Sequence, residues 1–334
     1  MASYERERRI IGVKVAILTS GGDAPGMNAA VRAVARTAFS MGWQPMKVES
    51  GYKGLLEGRI SPVDRRRLGG IIGRGGTVLG TQRSKEFQSP EGQQRVVDVL
   101  EEARLEALVV VGGEGSLTGA MKLSERGVKV VGIPATIDND VWGTEIALGV
   151  DTALNTALET IDRIKDTASS HNRAHVVEVM GRNCGYLALM SAIAGGAEAV
   201  LVREFEPDPE DLIGFMRKAY DQGKSHFIVV AAEGAKLSAA EFDEYVNSTD
   251  TYESRRTVVG HAQRGGDPTA FDRILGSRFG TAAVEALAAG ESGVMVALSG
   301  ELVVTLPLDQ VVGRMRPLDP QMYRMAGILS ALPE

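Results

Sequence analysis

Leu105-Glu106-Ala107-Leu108-Val109-Val110-Val111-Gly112-Gly113-Glu114-Gly115-Ser116 runs from an almost unbroken apolar segment into a glycine turn. A strand with one wet face alternates apolar and polar residues, whereas a continuous apolar run belongs to a parallel sheet covered by helices on both sides. The pattern predicts a strand over Leu105 to Val111 and a helix over Leu117 to Glu125. Glycine between them lets a backbone approach a phosphate, here with the carboxylate of Glu114 inside the turn.

The next apolar run, Val128 to Ile133, ends in Pro134-Ala135-Thr136-Ile137-Asp138-Asn139-Asp140. Two carboxylates one residue apart at a strand exit can enter one cavity in different roles. One takes a proton from an attacking hydroxyl while the other holds a cation on phosphate oxygens. Asp-Asn-Asp is also ordinary turn chemistry, so the heptapeptide alone fits a turn as well as an active site.

Upstream, Val13 to Thr19 reads as a strand, Ser20 to Asn28 as a glycine turn, and Ala29 to Phe39 as a helix burying Val31, Val34, Ala35 and Ala38. Strand, glycine turn, helix presents backbone N–H groups and a positive dipole end to an anion. The turn lacks the Gly-Lys-Ser/Thr of a Walker A loop and the Gly-x-Gly-x-x-Gly of a dinucleotide fold. Arg32 and Arg36, four apart, project from one side of the helix. Gly51 to Leu55 reads as another loop at the same sheet edge, and Asp64-Arg65-Arg66-Arg67 as a basic surface run. Gly73 to Thr77 and Gly80 to Ser84 set glycines beside hydroxyls and Arg83, which can grip a phosphate bidentately. In an open α/β sheet the ligand crevice lies at the carboxyl ends of the strands, where these turns fall.

Downstream, helices are expected over Glu91–Ala103, Asp151–Thr167, Tyr186–Ala194, Pro209–Asp221 and Phe271–Ala289. Strands are expected over Val176–Met180, Ala199–Val202 and Phe227–Ala232, with a hairpin over Val294–Leu306 turning at Gly300. Ser169 to Arg173 reads as a polar loop, and Ala235 to Ser254 as a helix-containing surface excursion. Arg255 to Gly266 is the richest basic stretch, with His261 and Arg264 near the end of one strand.

Bulk properties narrow the class. The 334 residues suggest two domains, though one large α/β unit also fits, and 44% hydrophobic and 24% charged content is that of a soluble globule with ample core. A net charge of −6 leaves no basic footprint for nucleic acid. The single cysteine, Cys184, excludes an intramolecular disulfide and fits a reducing cytoplasm; with no partnered histidine motif it reads as a bystander. No apolar stretch reaches membrane-spanning length, and the charged Met1 to Arg9 is expected to be a loose tail.

Nine segments in order then make a family. They are GGDAPGMNAAVR (Gly21 to Arg32), GYKGL (Gly51 to Leu55), GGTVLGTQR (Gly75 to Arg83), GGEGS (Gly112 to Ser116), PATIDND (Pro134 to Asp140), SSHNR (Ser169 to Arg173), VEVMGR (Val177 to Arg182), AEG (Ala232 to Gly234) and GHAQRGG (Gly260 to Gly266). In these the chain, from about Val13 to about Arg316, resembles the bacterial-type 6-phosphofructokinases. The resemblance implies an α/β fold of two similar three-layer αβα domains with mainly parallel sheets and the active site in the cleft between them. It places a nucleotide-binding domain at 10–149 and 265–312, and a fructose 6-phosphate domain at 150–264 and 313–334. The implied reaction is transfer of the γ-phosphoryl of ATP to the 1-hydroxyl of fructose 6-phosphate with Mg2+, the committed step of glycolysis, in a cytoplasmic, allosteric homotetramer.

Carried over by position, Asp138 is the implied base, with Thr136 and Arg182 beside the transferred group. Glu114 and Asp140 hold the metal; Gly22, Tyr52, Arg83, Gly113, Glu114, Gly115 and Ser116 line the nucleotide. Thr136, Asp138, Asp140, Met180, Gly181, Arg182, Glu233, His261 and Arg264 bind the sugar phosphate, with Arg173 and Arg255 reaching its 6-phosphate from a neighbouring subunit. Arg32, Arg36, Arg65, Lys165 and Lys224 match an effector site for ADP or phosphoenolpyruvate; Lys165 replaces a usual Arg, losing its planar fork. Glu114 stands where the family carries Asp. Gly115 with the small Ala135 marks ATP users, where pyrophosphate users tend to carry Asp and Lys. The rival readings are a pyrophosphate-dependent phosphofructokinase, an NAD or lipid kinase, and a non-catalytic regulatory subunit.

Overall fold

The computed structural model describes residues 12–205 and 207–330, so the expected tail, Met1 to Arg9, lies outside the described residues. The chain forms two compact units. The first takes the residues up to Ile137, Val141–Asp151 and Arg264–Arg316; the second takes Asp138–Asp140, Thr152–Gln263 and the residues from Pro317 onward.

In the first unit, β1 (Lys14–Ser20), α1 (Met27–Ser40), β2 (Gln44–Val48), α2 (Gly51–Leu56), β3 (Ile60–Pro62), α3 (Pro90–Glu102), β4 (Ala107–Gly112), α4 (Glu114–Ser124) and β5 (Val130–Pro134) follow one another. Next come α5 (Val150–His171), β6 (Arg173–Val179), α6 (Tyr186–Gly195), β7 (Ala199–Leu201), α7 (Pro209–Asp221), β8 (His226–Ala232), α8 (Ala239–Asn247) and β9 (Glu253–Val258). The chain then adds α9 (Ala270–Ala288), β10 (Val294–Ser299), β11 (Leu302–Pro307) and α10 (Leu308–Val311) to the first unit, and α11 (Pro320–Ser330) to the second.

The first sheet has the order β11-β10-β5-β4-β1-β2-β3. Its interior pairings are parallel and its edge strands, β11 and β3, are antiparallel. Both faces are covered, which is why β1 and β4 read as continuous apolar runs. Ala16, Leu18, Leu108 and Val110 pack with Leu55, Val96 and Leu117 of α2, α3 and α4. The alternate residues Val15, Ile17, Val109 and Val111 are equally buried, and α1 and α9 pack together on the sheet. The second sheet, β7-β8-β6-β9, is parallel throughout. Ala174, Val176, Phe227 and Val229 pack with Ile213 and Met216 of α7 and with Phe242 and Val246 of α8.

Several local expectations are corrected. Gly51 to Leu55, expected as a loop, is helical in α2, because Tyr52, Leu55 and Leu56 bury on one side and offset the cost of two helical glycines. Ser169 to His171, expected as a loop, ends α5: Ser170 Oγ and His171 Nδ1 bond the carbonyls of Asp166 and Thr167 one turn back, at 2.9 and 3.0 Å, and the helix stops at Asn172 with φ 52°. The expected surface excursion over Ala235 to Ser254 contains α8, whose Ala239, Phe242 and Val246 form a core layer. His261 and Arg264 lie not in a strand but in the 3-10 turn Gly260–Arg264 after β9. No described helix is long and apolar enough to cross a membrane.

Candidate active site

The helices divide by how they begin. Ser89 caps α3, Asp208 caps α7, Ser238 and Glu241 form a capping box on α8, and Thr269 caps α9. In contrast α1, α4 and α6 begin at Gly26, Gly113 and Gly185 with no side-chain cap. Uncapped first-turn N–H groups with a positive dipole end are an anion site in the making. Two of these starts, those of α1 and α4, follow the neighbouring strands β1 and β4 of the first sheet.

Between them the first unit holds a cleft of about 340 Å³ lined by Ser20, Gly21, Gly22, Tyr52, Gln82, Arg83, Ser84, Phe87, Gln88, Gly113, Glu114, Gly115, Ser116, Ala135, Thr136 and Arg264. All seven residues expected around the nucleotide, Gly22, Tyr52, Arg83, Gly113, Glu114, Gly115 and Ser116, meet there. Arg264, expected with the sugar phosphate, lines the same cleft: its guanidinium donates to Asp23 O at 3.3 Å and lies so close to Gly22 that a Cβ there would collide with it. Glu114, exposed in the first turn of α4, accepts from the Thr118 hydroxyl at 3.2 Å. Hydroxyls tie the walls together. Thr19 Oγ1 pairs with Thr77 Oγ1 at 2.7 Å and donates to Gly80 O at 3.0 Å; Thr81 Oγ1 donates to Gly21 O at 2.7 Å.

Apart from Thr136 and Arg264, the residues expected around the sugar phosphate lie in the second unit. Met180, Gly181 and Arg182 follow β6, and Glu233 follows β8, its exposed carboxylate 3.7 Å from the Arg182 guanidinium. Gln263, fully buried and unanticipated, accepts from Met180 N at 2.7 Å and donates to Ala153 O at 3.4 Å, pinning the end of β6 to α5. Parallel register sets Arg173 against Glu253, and Glu253 takes both basic residues expected at the 6-phosphate. Arg173 donates to it at 2.9 Å and Arg255 bonds its other oxygen, so the carboxyl sits below its ordinary range, the Arg173 hydrogen bond being the first cause. His261 is exposed in the turn after β9.

Asp138 and Asp140 group with this unit, each partly buried. Their charges reach Cys184, whose thiol is pushed up to about 11, first by burial and further by Glu204, Asp140 and Asp138. A neutral buried thiol is no nucleophile, in keeping with the bystander reading.

The five candidate effector residues are divided. In the first unit Arg32, Arg36 and Phe39 share a side of α1, and Arg65 lies over the Phe39 ring at 5.2 Å. Burial, then the charge of Arg36, lowers the pKa of Arg32. In the second, Lys165 donates to Gly195 O at 2.7 Å, and Lys224 meets the buried carboxylate of Glu198 at 2.6 Å. Glu198 also stands 3.9 Å from His226.

Among the described residues no group of three or more His, Cys, Asp or Glu could hold a metal by itself.

The phosphofructokinase family profile matches residues 14–287. The chain is 47% identical over 317 residues to a protein of Natranaerobius thermophilus named ATP-dependent 6-phosphofructokinase, covering 95% of this chain and 99% of that one. Among solved structures it is similar to phosphofructokinase from Saccharomyces cerevisiae, with a TM-score of 0.84 and 34% identity, over 89% of this chain and 45% of the yeast chain. A pyrophosphate-dependent phosphofructokinase from Marinobacter aquaeolei shares the fold, with a TM-score of 0.83 at 21% identity over 92% of this chain and 86% of that one. The profile starts at the first strand and ends in the helix after Arg264, so the uncapped helix starts, the cleft and the arginines fall inside one relationship: the chain belongs to the phosphofructokinase family.

Proposed function

We propose that this phosphofructokinase transfers the γ-phosphoryl of ATP to the 1-hydroxyl of fructose 6-phosphate, with Mg2+ as the cation. One observation carries the choice of donor. Gly115, inside the first-unit cleft, has no positive φ, and a Cβ there would meet nothing within 4 Å. Neither packing nor backbone strain requires glycine at 115, which leaves this part of the cleft wall open to a ligand. Ala135, which lines the same cleft, carries only a methyl. A nucleoside triphosphate uses that room; a pyrophosphate does not need it. The likeness to a protein named for ATP points the same way.

In this reading Asp138 accepts the proton of the attacking hydroxyl and Thr136 contacts the transferred group. Phosphoryl transfer passes through a loose transition state, so alignment and charge neutralisation carry the catalysis and no covalent nucleophile is needed. Arg83, Arg182 and Arg264 supply fixed positive charge as negative charge builds on the leaving oxygen. Glu114 and Asp140 would hold the cation, which when bound neutralises phosphate oxygens. Met180, Gly181, Glu233 and His261 orient the sugar phosphate. Arg173 and Arg255 receive the 6-phosphate across a subunit boundary of a cytoplasmic homotetramer, and the five basic effector residues take ADP or phosphoenolpyruvate.

The test is formation of fructose 1,6-bisphosphate from fructose 6-phosphate with ATP and with pyrophosphate, each offered separately with Mg2+. Turnover with ATP is expected. Turnover with pyrophosphate alone would keep the family and overturn the donor; turnover with neither, in folded protein, would favour a regulatory subunit.

A further inference from the structure

Asn28 lies in the first turn of α1, fully buried, and it spends both ends of its amide on one distant loop. Nδ2 donates to the carbonyls of Arg74, Gly75 and Gly76 at 2.9, 3.2 and 3.1 Å, and Oδ1 accepts from Val78 N at 2.8 Å. These partners lie 46 to 50 residues further along the chain. The same loop continues through Thr77 and Gly80, held by Thr19, and Thr81, bonded to Gly21 O, into Gln82, Arg83 and Ser84 of the cleft. On its other side a Cβ at Gly75 would collide with the carbonyl of Gly266, two residues past Arg264. The loop thus runs into one arginine of the cleft and backs the segment that carries the other.

We infer that Asn28 is the positioning residue of the donor cleft. It fixes the 74–81 loop and through it the placement of Arg83. The inference rests on the nucleotide reading of that cleft. A side-chain amide suits the position because one planar group supplies two donor hydrogens and an acceptor. Aspartate has the same shape but turns the donor side into an oxygen facing three carbonyls, a contact that only its protonated form relieves. Burial and those carbonyls both hold the proton on, so relief grows as pH falls through a raised carboxyl pKa.

The experiment compares full-length wild type, Asn28→Asp, Asn28→Ala and, as a milder cut in the same loop, Thr77→Val. ATP and fructose 6-phosphate are varied separately from about pH 6 to about 8.5, a range that spans a raised carboxyl pKa. Thermal melts and hydrogen exchange of the 73–84 peptide accompany the kinetics. For both Asn28 variants the KM for ATP should rise roughly tenfold while the KM for fructose 6-phosphate stays within about twofold, as expected for lost buried hydrogen bonds confined to one site. Thr77→Val should move the same constant by less, Asn28→Asp should recover toward acid where Asn28→Ala does not, and 73–84 should exchange faster. Equal rises in both KM values, or unchanged exchange at 73–84, would reduce Asn28 to a general packing residue and sink the inference. If neither Asn28 variant folds, an unchanged KM for ATP in Thr77→Val does the same. A wild type inactive with ATP overturns the donor reading instead, a result visible before any variant is made.

Discussion

Tyr52 gives its hydroxyl to the carbonyl oxygen of Ser116 at 2.7 Å, buried from solvent, while its ring stacks on Phe87 with centroids 4.0 Å apart. The bond joins α2 to the first turn of α4, so a residue expected only to touch the nucleotide also holds one wall of the first-unit cleft. Burial drives the phenol's pKa far above its usual value, and it stays a hydrogen-bond donor throughout the neutral range. Tyr52→Phe keeps the stack and strands one carbonyl, a loss of about 1 kcal/mol. In a protein of this size that is roughly a 2 °C fall in Tm, which differential scanning fluorimetry resolves. The KM for ATP should rise a few-fold and that for fructose 6-phosphate should not move; a change confined to the sugar phosphate would contradict the placement of Tyr52 in the nucleotide wall.

Asp138→Ser tests the proposed base. Removing the proton acceptor should lower kcat by about three orders of magnitude, the span of general base catalysis, with fructose 6-phosphate binding largely kept. Single-turnover kinetics beside calorimetric binding separates the two, and a near-normal kcat takes Asp138 out of the role.

Glu253 sits where Arg173 and Arg255 converge, and these exposed pairs add little to stability. Arg255→Ala should therefore leave Tm nearly unchanged. Its KM for fructose 6-phosphate should rise roughly tenfold, the loss of a charge-assisted contact to phosphate, with ATP unaffected. An effect on ATP alone would move Arg255 to another site.

His175 gives a pH signature. Its Nε2 lies 2.8 Å from Thr257 Oγ1, and its pKa is lowered by burial first, then by Arg255 and Arg173, with Asp243 opposing. The fold therefore favours the neutral ring. Stability is complete above the unfolded value near 6.5 and is lost as pH falls from there through the lower folded value. His226, also lowered chiefly by burial, acts in the same direction. Melts at about pH 8 and about pH 5.5 should show a larger acid loss for wild type than for His175→Gln, which keeps a bond to Thr257 without the titration. Equal losses would show that His175 does not carry the effect.

How much of this was legible beforehand depended on range. Pro209–Asp221 emerges with the expected limits, and its start is local: Asp208 caps it and Pro209 opens it. The glycine turns after β1 and β4 were visible for the same reason, since strand, turn and helix are neighbours in sequence. Gly51 to Leu55 misled because glycine is a poor helix former, and only burial of Tyr52 and Leu55 against a sheet built from other segments overrides it. Asn28 and Gln263 stood inside quoted motifs, but their partners at Arg74 to Val78 and at Met180 are tertiary. Glu253 was missed because its meaning comes from register with Arg173, 80 residues away.

The seven-stranded sheet seats β10 beside β5, with α9 against α1, so its first five strands are synthesised long before its last two. On the ribosome the free edge of β5 and the uncovered side of α1 wait while some 110 residues of the second unit emerge, whose four strands are complete by Val258. The later-starting unit therefore has all its strands first, and the opening strands of the chain depend on the closing ones. A chain cut before Val294 carries the glycine turns of the first-unit cleft on a sheet that still exposes an apolar edge, a species that invites pairing with its own copies.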